Sequence, residues 1–120
     1  MDNLQFKIAQ GSTPILELAF PFEVDVDDVV YVDLAQGDKV MREWHMNGTD
    51  AAAGIKGTGT LTISDDDASV MLLAMSQADT LALTPGDAEL QIRVKTSAGT
   101  DTFAPLVGAV LKAYKQGVIS

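Results

Sequence analysis

The sequence contains no cysteine, a single histidine and a single tryptophan, and aromatic residues make up only 6% of it. Without a thiol, cysteine catalysis, thiolate zinc sites and disulfide redox chemistry are excluded, and the compartment is left open. Basic residues are scarce as well: 8 Lys and Arg stand against 17 Asp and Glu, for a net charge of −9. Such a chain repels phosphate backbones, and no basic stripe interleaved with aromatics offsets that, so no nucleic-acid partner is expected. No apolar run reaches the roughly 18 residues of a membrane span, and the opening "MDNLQFKIAQ" lacks the basic cluster and apolar core of a signal peptide. The expectation is a soluble chain with no membrane partner. What is present, 120 residues of which 47% are hydrophobic, suits one domain spanning residues 1–120. A domain of that size buries roughly two-thirds of its unfolded surface and stands without disulfide or metal. The acidic surplus favours solubility and is compatible with docking onto a basic protein surface.

Alternation dominates the hydrophobic pattern. Leu4, Phe6 and Ile8 share one face of "LQFKI", Leu16, Leu18 and Phe20 one face of "ILELAF", and Val30, Val32 and Leu34 one face of "VVYVDLA". Each reads as a half-buried strand. Gly37-Asp38 lies between two β-rich runs and signals a hairpin into "VMREWHM". Residues 47–60, "NGTDAAAGIKGTGT", read as a long flexible loop, followed by strands at "LTIS" and "VMLLAM". Met41, Met46, Met71 and Met75 fall in predicted strands as core filling.

In "SQADTLALTPGDAELQIRVKTSAGTDTF", residues 76–103, Ser76 stands three residues before Asp79, as in a capping box. One short helical turn over 76–82 follows, and "TPGD" stops it. Leu90, Ile92 and Val94 then alternate faultlessly with Glu89, Gln91, Arg93 and Lys95. "SAGT" makes another hairpin, into a last strand that Pro105 and Gly108 break at a bulge or bend. About eight strands with one helical turn give an all-β, immunoglobulin-like antiparallel β-sandwich. A small closed barrel satisfies the same pattern.

Chemistry-bearing residues are few. His45 has no adjacent nucleophile or orienting carboxylate in a recognisable context, so no catalytic residue is assigned and a non-enzyme is expected. The acidic runs Asp25 to Asp28 and Asp65 to Asp67 hold calcium-type ligands, but neither has the spacing of the twelve-residue calcium loop. Asp residues also initiate turns by bonding their own backbone. No metal or cofactor site is assigned. "GIKGTGT" lacks the Gly-Lys-Ser/Thr ending of a phosphate loop.

The strand, "G" turn and strand of "FKIAQGSTPILELAF" and the series "MSQADTLALTPGDAELQIRVKTSAGTDTFAPLVGAVLKAY", Met75 to Tyr114, resemble a known family. These are the immunoglobulin-like domains of tailed-phage and prophage structural proteins, typified by the N-terminal domain of the baseplate upper protein. That family carries a helical turn of the form "LTQEDTLAL", a "PGxYxxxLxL" strand, a "DxxG" hairpin and a last strand with "LxxGxxxV". Ala88 stands where many members have an aromatic. The resemblance implies a non-enzymatic structural or adaptor protein of a virion, in the tail, the baseplate or another assembly component. Its partners would be other virion or tail proteins and further copies of itself, and it would be soluble in the host cytoplasm before assembly. A carbohydrate- or host-surface-ligand-binding sandwich is the other reading, and an aromatic platform from Trp44, Tyr31 and Tyr114 would favour it.

Overall fold

A computed structural model describes residues 4–97, 99–103 and 105–112. The chain runs through β1 (Phe6–Ala9), β2 (Ile15–Ala19), β3 (Val29–Gln36), β4 (Lys39–Met46), β5 (Thr60–Ile63), β6 (Val70–Ala74), α1 (Gln77–Leu81), β7 (Gly86–Thr96), β8 (Gly99–Thr102) and β9 (Leu106–Leu111). Two sheets form. The larger has the order β1-β9-β7-β3-β4 with β8 also on β7; the smaller is β2-β6-β5. Their inner faces close on one apolar cluster, in which Ile8, Leu18, Val30, Val32, Leu34, Met71, Leu73, Leu90 and Val94 are almost wholly buried. The chain is thus an immunoglobulin-like β-sandwich, with one short helix among the described residues.

The alternation read from the sequence sets the register. Val30, Val32 and Leu34 on β3 lie opposite Val94, Ile92 and Leu90 on β7, and Val32 also lies opposite Trp44 on β4. Trp44 therefore points inward and is 2% exposed. Gly37, at φ 63, makes the two-residue β3–β4 turn with Asp38, the backbone region such hairpins demand.

Three details differ from the expected plan. β1 pairs with β9 in parallel, so the larger sheet is mixed rather than purely antiparallel. The expected last strand is two strands: β8 pairs with the end of β7 and β9 with its beginning. Between them Phe103 donates its N–H to Ile92 O at 3.0 Å and stacks obliquely on Phe20 and Phe22, and Pro105 supplies no N–H to carry the ladder on. β9 lies between β1 and β7. Gly108 is needed where it stands, because a Cβ there would overlap the Phe6 ring that lies across it. Third, Met75 follows β6 rather than lying in it, yet it fills the core at 3% exposure. The expected continuation of the last strand to Tyr114 and the residue Ala98 of the "SAGT" turn lie outside the described residues.

Candidate functional site

The functional geometry centres on β4 and the 47–60 segment beside it. Ser76 is the N-cap of α1, and the capping box is complete: Asp79 N–H donates to Ser76 Oγ, and Ser76 N–H donates to Asp79 Oδ2, both at 3.1 Å. Asp79 does far more than cap a five-residue helix. Its carboxylate, 1% exposed, also accepts from Trp44 Nε1 at 3.1 Å, Thr58 N at 2.8 Å and Gly59 N at 2.9 Å. Arg42 Nε stands 3.9 Å away. Burial by itself would raise this carboxyl, but the donors from Thr58, Ser76, Trp44 and Gly59 outweigh it and hold the group below the usual carboxylate range. Gly57 and Gly59 permit the approach, since a Cβ on either would overlap the Trp44 indole or the Ala74 carbonyl.

The second half of the 47–60 segment is consequently tied down, where a flexible loop was expected. Glu43 N–H donates to Ile55 O at 2.8 Å and Gly57 N–H to Glu43 O at 2.9 Å, which lays residues 55–57 along the edge of β4. Arg42 donates to Gly54 O at 2.9 Å.

On the outer face of the larger sheet the same segment completes a polar cluster. Asp50, five residues beyond His45 in sequence, accepts from His45 Nε2 at 2.8 Å and from Lys56 Nζ at 3.1 Å. Gly48 N–H points at His45 Nδ1 from 3.2 Å. An amide can only donate, so Nδ1 accepts, the ring proton sits on Nε2, and His45 gives it to Asp50. The histidine's basic nitrogen is thereby occupied. The His45 hydrogen bond, followed by that of Lys56, holds Asp50 below the usual carboxylate range. With Glu43, Trp44 and the backbone of 57–59 these groups line a pocket of about 410 Å³.

Next to it, Asp33 on β3 lies directly opposite Glu43 on β4, and Arg93 on β7 reaches both, at 3.2 Å to Asp33 Oδ2 and 3.5 Å to Glu43 Oε2. Arg93 also lies 5.0 Å over the Tyr31 ring. With both acids ionised, Asp33 Oδ1 is buried without a donor among the described residues. A proton on Glu43 supplies one. Hydrogen bonding with Asp33, then burial, then the Asp33 charge push Glu43 up to about 7, and Arg93 and His45 only partly oppose them.

Of the residues singled out in the sequence, Asp79 and Ser76 hold the fold together and His45 lies in the pocket. Trp44 and Tyr31 are on opposite faces of the sheet, so they do not form one aromatic platform; Tyr114 lies outside the described residues. The acidic runs serve their own turns. Asp25 accepts from Asp27 N, Asp28 from Asp25 N, and Asp67 from both N and Oγ of Ser69. Among the described residues no group of three or more His, Asp or Glu is arranged to hold a metal. Sequence reasoning missed Asp50, Asp33, Glu43 and Arg93. The last three were findable in principle, because alternation puts them on the polar side of strands that become neighbours.

Fold and site together define an immunoglobulin-like sandwich carrying a polar, pocketed outer face. No protein-family model matches the chain, and no curated protein matches it significantly. Among solved structures it is similar to CopC from Methylosinus trichosporium OB3b: 14% of residues are identical, the match covers 92% of this chain and 89% of that one, and the TM-score is 0.53. At that identity the likeness bears on the fold.

Proposed function

We propose that this chain is a non-enzymatic structural or adaptor component of a tailed-phage or prophage virion, working through protein–protein interfaces. The observation that carries the reading is the role of the segment bearing the resemblance. In "SQADTLAL", Asp79 ties α1, β4 and the 47–60 segment into one unit, so the segment on which the resemblance rests has a structural part in this sandwich. His45 supports the same reading, since both of its ring nitrogens are engaged by Asp50 and Gly48. Exposed apolar side chains on the outer face of β9, Val107 at 43% and Leu111 at 48%, offer a surface for self-association.

The test is capture of purified tail and baseplate proteins of a tailed phage by the purified, tagged protein. Specific retention of at least one of them, with no loss in a His45→Ala variant, is expected. Retention of none, together with saturable glycan binding at the His45 pocket, would replace the assembly reading with the ligand-binding one.

A further inference from the structure

Among the described residues, one side of the sandwich is open. In constant-type immunoglobulin sandwiches the first strand belongs to the sheet of the second, fourth and fifth strands. Here β1 pairs with β9 instead, and β2 is left as an edge of β2-β6-β5. The ladder shows which backbone groups that edge presents. Phe20 N–H donates to Ser69 O and Met75 N–H to Pro14 O, so the even-numbered residues of β2 turn their backbone toward β6. The N–H and C=O groups of Ile15, Glu17 and Ala19 therefore point outward. All three side chains are exposed, Ile15 at 64%.

Such an edge invites a strand, and its charge decides which one. In the antiparallel register that engages all three outward residues of two copies, Glu17 of one faces Glu17 of the other, and like charges directly opposite in a sheet repel. Glu17 has no ion-pair partner among the described residues, so a basic side chain in the incoming strand meets an unpaired carboxylate. We propose that the β2 edge accepts an extended strand of a partner protein that sets a lysine or arginine opposite Glu17 and small or apolar residues opposite Ile15 and Ala19. The identity of a virion partner rests on the assembly reading; the chemistry of the edge does not.

The test titrates the full chain with short blocked peptides of alternating threonine and valine, carrying either lysine or glutamate at the centre. Amide hydrogen exchange and NMR shifts are the readouts. The lysine peptide should bind about fivefold more tightly than the glutamate peptide. It should slow exchange at Ile15, Glu17 and Ala19 and leave Leu16 and Leu18 unchanged. Glu17→Lys should reverse the preference and Glu17→Gln abolish it; the site of both is exposed and off the core. Equal binding of the two peptides, no binding, or protection confined to other strands would overturn the proposal. Tail-protein capture in a chain that binds neither peptide would refute the edge while sparing the assembly reading. Peptide binding with the stated preference, in a chain that captures no tail protein, would uphold the edge and remove the assembly reading.

Discussion

At the residue scale, two carboxyl groups pull the pH dependence of stability in opposite directions. Asp79 is depressed in the folded chain, so its stabilisation is present above its unfolded value near pH 4 and disappears as the pH falls through the folded one. Glu43 is raised to about 7, so its contribution is complete below about 4.5 and fades as the pH rises through 7. Urea midpoints should therefore decline between pH 5 and 8, by up to about 3 kcal/mol of unfolding free energy. Glu43→Gln, which keeps a donor for Asp33 Oδ1 and cannot ionise, should flatten that decline; an unchanged slope would mean that Asp33 and Glu43 do not share a proton. Asp79→Ala strands the Trp44 indole and the N–H groups of Thr58, Gly59 and Ser76, and should cost about 3 to 5 kcal/mol. Its tryptophan emission should shift to the red as the 57–59 segment lifts from Trp44. Loss below about 1 kcal/mol would deny Asp79 its organising role.

At the scale of elements, the strands other than β8 are legible because one face of each is at least partly buried, and a period of two survives any detail of packing; β8, exposed along its whole length, carries no such signal. β7 is the clearest case. Leu90→Ala and Ile92→Ala should each cost about 2 to 4 kcal/mol in denaturant titrations, and Gln91→Ala much less. The opposite ranking would mean a register slipped by one residue. The capping box was legible for the same reason: Ser76 and Asp79 are three residues apart and meet locally. The remainder depends on partners distant in sequence. Nothing in "NGTDAAAGIKGTGT" shows that Asp79, some twenty residues on, will hold Thr58 and Gly59, which is why the segment read as free. His45 read as isolated because Asp50 reaches it only after the loop folds back. The division of the last strand turns on Phe103 finding Phe20 and Phe22 across the sandwich, and no local pattern announces it.

At the scale of the whole molecule, the buried carboxylate of α1 ties β4 to the 57–59 segment, β2 is an open edge among the described residues, and a polar face covers β3, β4 and β7. Glu17 disfavours self-pairing at the open edge, so copies of the chain are expected to meet elsewhere, through β9 or the 47–60 segment, over at least about 1,000 Å² in total. On the assembly reading these surfaces are what the chain contributes; on the ligand-binding reading the His45 pocket is. Sedimentation velocity of the purified protein, alone and mixed with purified tail and baseplate proteins of a tailed phage, decides between them. Self-association at micromolar concentration and a stoichiometric complex with at least one of those proteins are expected; a strict monomer that leaves every one of them sedimenting freely would remove the assembly reading.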